Sequence, residues 1–98
     1  MNLNVRGIKC SISDETRAFL DKKLQKLDFA EEYLQDLDIV MKRETVGQGF
    51  HIEAQLHFKW GSVKQVSCDC YELYEGIENI ADKIESVARK EKSKIMEN

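Results

Sequence analysis

Between His51 and Trp60 every second residue is apolar: Ile52, Ala54, Leu56, Phe58 and Trp60 alternate with His51, Glu53, Gln55, His57 and Lys59. Sustained period-two alternation fits an extended strand with one buried and one wet face. Such a strand obliges the rest of the chain to supply partner strands and a layer that covers one side of the sheet. Trp60 has the parity of the buried face, so it is expected at the edge of the core.

The flanking segments supply both. Leu37, Ile39 and Met41 oppose Asp38, Val40 and Lys42 in an expected second strand; Val66, Cys68 and Cys70 oppose Gln65, Ser67 and Asp69 in a fourth. Turns are expected at Gly47-Gln48-Gly49 and at Gly61-Ser62. Asn2 to Arg6 alternates as a short first strand ending at Gly7. Ser13, followed by Asp14 and Glu15, reads as a helix start with a capping hydroxyl and acids in the first turn. Phe19, Leu20, Leu24 and Leu27 mark the buried side of that helix, which is expected to end near Leu27. Asp28 to Asp36 then reads as a loop pinned by Phe29, Tyr33 or Leu34.

Leu73, Ile77, Ile80, Ala81, Ile84, Val87 and Ala88 recur in steps of three and four, the stripe of a long amphipathic helix from Glu72 to Lys94. The order β-α-β-β-β-α predicts an α+β fold of two layers, a four-stranded mixed sheet with two helices packed on one face. The initial strand-helix-strand predicts a parallel right-handed crossover, and the later turns predict antiparallel neighbours. Residues 1–98 are expected to form a single domain.

Charge is unevenly distributed. The net charge is −3, yet residues 17–26 hold Arg17, Lys22, Lys23 and Lys26 against Asp21. Residues 83–94 likewise hold Lys83, Arg89, Lys90, Lys92 and Lys94 against Glu85 and Glu91. Acids collect at Asp28, Glu31, Glu32, Asp36 and Asp38, and again at Asp69, Glu72, Glu75, Glu78 and Asp82. With a Debye length of about 8 Å, a close partner feels a patch rather than the chain total. Lys83, Lys90 and Lys94 fall to one side of the apolar stripe of the last helix, with Glu78, Asp82 and Glu85 on the other, so a polyanionic partner is expected.

Other chemistries are weakly signalled. His51, His57, Cys68 and Cys70 suggest a metal by residue type, but parity sends the histidines to the open face and the cysteines to the core. No phosphate loop, helical zinc motif or nucleophile with a histidine partner is present. Cys10 precedes a helix start, and its expected role is structural rather than reactive. The three cysteines, odd in number and without a secretory leader, read as reduced thiols. No apolar run approaches the roughly 18 residues of a membrane span, so a cytoplasmic protein without a membrane partner is expected. The expectation is a non-enzyme with no cofactor, no metal and no small-molecule substrate.

The ordered set Met1-Asn2-Leu3-Asn4-Val5 with Gly7, Ile12-Ser13, Arg17, Lys23, Lys26-Leu27, Ile39-Val40-Met41-Lys42 and Glu53-Ala54-Gln55-Leu56-His57-Phe58 is spread along residues 1–58. Glu72-Leu73-Tyr74, Ile77, Asp82-Lys83-Ile84 and a lysine-rich end follow. Together these resemble the ribosome hibernation-promoting factors, once described as sigma modulators, in their short form. The resemblance implies binding to the small ribosomal subunit and its rRNA near the decoding centre, blocking mRNA and tRNA under stress or in stationary phase. It implies rRNA contacts from Arg17, Lys23 and Lys26 on the first helix and Lys83, Lys90, Lys92 and Lys94 on the second. Lys22 joins the first set by the charge count. The chain departs from the pattern at Ser86, where an arginine is usual and Arg89 one turn later supplies a substitute, and at Cys70, where glycine is common. The protein is expected to be a monomer away from the ribosome. The rival reading is a protein-interaction module, for a sigma factor or another regulator, that uses the acidic segments and binds no RNA.

Overall fold

In the computed structural model, which describes residues 1–45, 47 and 49–96, the alternating segment forms the inner of two antiparallel pairs. The elements are β1 (Asn2–Ile8), α1 (Asp14–Leu24), a 3₁₀ segment (Gln25–Ala30), β2 (Leu34–Arg43), β3 (Phe50–Phe58), β4 (Val63–Cys70) and α2 (Leu73–Met96). The strands lie in the order β1-β2-β3-β4, with β1 parallel to β2 and the other pairs antiparallel. The expected four-stranded mixed sheet and element order are therefore observed. Gln48, the middle of the turn expected before β3, lies outside the described residues.

The core contains most of the expected residues. Leu37, Ile39 and Met41 of β2 and Ile52, Ala54, Leu56 and Phe58 of β3 are buried against Leu20, Leu24 and Leu27, and against Ile77, Ile80, Ala81, Ile84 and Ala88. Ser13 caps α1, its Oγ accepting from the Thr16 amide at 3.1 Å. Lys22 and Lys23 close the helix opposite Asp14 and Glu15, as the helix dipole favours.

Three boundaries differ from expectation. The α-helix ends at Leu24 and tightens into the 3₁₀ segment, which carries Leu27 and Ala30 into the core, so only Glu31 to Tyr33 remain as a turn. β2 starts at Leu34 rather than Leu37 because its pairing with β3 slips between Leu34 and Asp36. That irregularity lets Leu34 and Leu37, three residues apart, both face the core, which period-two reading cannot show. β1 runs on through Gly7 to Ile8, paired with Met41 and Lys42. A Cβ at Gly7 would stand 2.3 Å from the Cys10 carbonyl oxygen, so glycine is needed for that close approach.

Trp60 corrects a fourth expectation. β3 ends at Phe58, and Lys59 and Trp60 enter the turn, where the Phe58 carbonyl accepts from the Gly61 amide. Trp60 therefore lies outside the alternation and is 38% exposed. No described helix is long and apolar enough to cross a membrane.

Candidate nucleic-acid interface

α1 with its 3₁₀ extension and α2 meet along a seam in which residue numbers rise together. Phe19 stacks on Tyr74 with centroids 4.5 Å apart, and Lys23 Nζ lies 3.1 Å from Glu78. Lys26 pairs with Asp82, and Phe29 lies under the guanidinium of Arg89 at 4.3 Å. The helices thus run parallel, and the acidic flank of α2 faces the basic side of α1. Sequence reading placed each charge on its helix but not these two flanks against each other.

Most of the candidate cations consequently have partners. Arg17 pairs with Asp21 at 3.2 Å, Arg89 with Glu85 at 3.2 Å, and Lys94 with Glu91 at 3.8 Å. Lys83 donates to the Ser67 carbonyl at 2.7 Å, tying α2 to the edge strand β4. Lys92 sits 5.9 Å over the Tyr33 ring. Lys22 and Lys90 are exposed and carry no ion pair among the described residues. The nine candidates all lie on the two helices and their 3₁₀ extension, the layer away from the open sheet face.

One group that the sequence shows only as a charge proves to be buried. Glu91 continues the α2 stripe beyond Ala88 and is 5% exposed, accepting from Trp60 Nε1 at 3.3 Å and pairing with Lys64 at 3.5 Å. Burial alone would raise its pKa, but hydrogen bonds from Trp60 and Ser62 and the charges of Lys64 and Lys94 hold the carboxyl below its ordinary value. The signal available was its position: a charged residue three places after Ala88 on an apolar stripe.

The open sheet face is mixed in sign. A shallow depression of about 440 Å³ is lined by Asn4, Arg6, Asp38, Val40, Glu53 and Gln55, none of them aromatic. His57 contacts Asp38 at 3.4 Å, and Asn2 and Asn4 donate to Asp36 and Asp38. His51 reaches Asp69 at 2.7 Å and Glu53 at 3.0 Å, and with Glu44 and Asp69 it forms a group whose ligand atoms lie within 4.8 Å. Both imidazole nitrogens face carboxylates, and the hydrogen bond to Asp69 raises the ring pKa against the effect of burial, with Glu53 adding to the rise. These contacts stabilise the protonated ring relative to a free imidazole. Cys68 and Cys70 point to the helix layer, near the Gly76 and Phe50 carbonyls, and burial raises both thiols. The four residues first considered as metal ligands are therefore divided between two faces.

Comparison with known proteins adds an independent line. The family model described as "Sigma 54 modulation protein / S30EA ribosomal protein" matches residues 3–96. The chain is similar to a ribosome hibernation promoting factor of Klebsiella oxytoca, 29% identical over 98 residues that span both proteins completely. It is 26% identical to one of Azotobacter vinelandii over 97 residues, 99% of this chain and 88% of the relative. The N-terminal domain of Thermus thermophilus Protein Y superposes with a TM-score of 0.78 at 24% identity, covering 92% of this chain and 98% of that one. A ribosomal subunit interface protein of Coxiella burnetii gives a TM-score of 0.83 at 18% identity, over 95% and 99%.

Proposed function

We propose a ribosome-hibernation role for this chain because it belongs to the Sigma 54 modulation protein / S30EA ribosomal protein family, among its short hibernation-promoting factors. The observation that carries the reading is the family match across residues 3–96, the whole two-layer unit. Residues 1–98 act as one ribosome-binding domain in the cytoplasm, as a monomer until they dock. The partner is the small subunit near the decoding centre, and the effect is occupancy: mRNA and tRNA are excluded with no bond made or broken.

The docking face is the helix layer. Lys22 and Lys90 offer exposed amines to phosphates, and Lys92 offers a third beside an aromatic ring. Arg17, Lys23, Lys26 and Arg89 are held by exposed or half-exposed carboxylates, pairs that contribute about 0–1 kcal/mol each in water, whereas Lys94 pairs with the buried Glu91. An rRNA backbone, with its dense phosphate charge and releasable counterions, competes effectively for such cations. Lys83 acts differently, because its amine already ties α2 to β4. The rival protein-interaction reading loses part of its acidic surface, since Glu78 and Asp82 face α1.

Co-sedimentation with ribosomes tests this. Lys22→Glu combined with Lys90→Glu is expected to keep the fold by circular dichroism and to weaken association by about tenfold or more. Undiminished pelleting of the double variant would exclude the helix layer as the rRNA-binding face.

A further inference from the structure

Trp60, the sole tryptophan, is held in a way that core packing does not require. Its ring lies 5.2 Å from Phe58 at 12° and 5.6 Å from Tyr33 at 23°, while Phe58 and Tyr33 are 6.3 Å apart at 15°. The three nearly parallel rings form one aromatic cluster with Trp60 at its exposed end. The tryptophan keeps 38% of its surface exposed, far more than Phe58 at 2%. The indole edge is fixed by the hydrogen bond to buried Glu91, which also gathers Lys64 and Lys94, two amines to one carboxylate. Lys92 adds a third amine above Tyr33. Glu31 and Glu32 precede Tyr33 in the turn, so cations here come from β4 and α2 rather than from a uniformly positive surface.

We infer that the exposed surface of the Trp60 ring is a stacking seat for an unpaired RNA base, with Lys64, Lys92 and Lys94 meeting the phosphates on either side of it. A flat π face with a fixed edge and little depth suits another ring better than a branched aliphatic side chain. Exposed aromatics interleaved with amines are how single-stranded nucleic acid is held without sequence reading. The inference rests on the ribosomal reading and deepens it: the contact is an extruded base, in addition to backbone phosphates.

The single tryptophan makes its fluorescence a reporter of this seat alone. A short oligoadenylate is expected to quench it saturably, whereas the same strand paired into a duplex, its base faces hidden, leaves it unchanged. Trp60→Leu, checked for folding by circular dichroism, should bind oligoadenylate and ribosomes about tenfold more weakly, and Trp60→Phe should recover most of that loss. Fluorescence that does not respond to the single strand overturns the seat. So does a Trp60→Leu variant that pellets with ribosomes as the parent does, an outcome that leaves the hibernation reading standing. A parent protein that fails to pellet removes both.

Discussion

A Cβ at Gly76 would stand 2.2 Å from Cys70 Sγ and 2.9 Å from the Ile52 tip, so this residue sets how closely α2 sits on β4. Alanine would gain about 1 kcal/mol of helix propensity, but overpacking a tight seam costs about 1–3 kcal/mol. Retreat is blocked because Cys70 Cβ is itself only 3.0 Å away. Gly76→Ala is therefore expected to lower the denaturant midpoint, and Cys70→Ala added to it should restore part of the loss; an unchanged midpoint in the single variant would show a seam that yields. The departure at Cys70 was legible in the sequence, but its meaning was not, because only the packed seam shows that its sulfur lies against Gly76. His51 carries the clearest pH dependence. Its folded pKa lies above the ordinary imidazole value, chiefly through the Asp69 hydrogen bond. Its stabilising contribution is thus complete below about pH 6.5 and is lost as pH rises through the higher folded value. With Asp69 81% and Glu53 47% exposed, screening keeps the effect under about 1 kcal/mol. His51→Asn should remove this component from the melting temperature measured across the neutral range, and an imidazole NMR titration should show the raised midpoint.

At the scale of elements, periodicity revealed most of the fold because β2, β3 and β4 each bury one face and α2 buries one stripe. It failed where two helical forms join at Leu24 and where the β2 register slips, since neither leaves a period in the sequence. The interface was less legible. Glu78 and Asp82 were visible as an acidic flank of α2, but the sign of a flank does not reveal what it faces. Their position against Lys23 and Lys26 makes them candidate gates on those amines. Glu78→Gln with Asp82→Asn should change stability by no more than about 1 kcal/mol, since both pairs are exposed on the acid side. The same double variant should bind ribosomes several-fold more tightly, because two cations no longer leave a carboxylate for a phosphate. Pelleting curves indistinguishable from the parent would mean that the seam lysines do not touch rRNA.

On the proposed reading the molecule as a whole is a negative chain offered to a negative partner, and its dimensions decide which charge matters. Its longest extent is 46 Å, several times the Debye length of about 8 Å at physiological salt, so distant acids scarcely influence amines at the opposite end. The two descriptions predict opposite signs. If the total of −3 governed the encounter, added salt would screen repulsion and strengthen association. If local cations govern it, salt weakens association through lost counterion release, with log K falling by about 0.7–0.9 per unit of log salt for each phosphate neutralised. We expect the second sign in ribosome pelleting across a salt series, with Lys22→Gln and Lys90→Gln each flattening the slope by about one. Trp60→Leu, which removes a neutral stacking contact, should lower affinity at every salt concentration and leave the slope alone. The paired measurements therefore separate phosphate contacts on the helix layer from base contact at Trp60, and a slope of the opposite sign would mean that the lysines only solvate the helices.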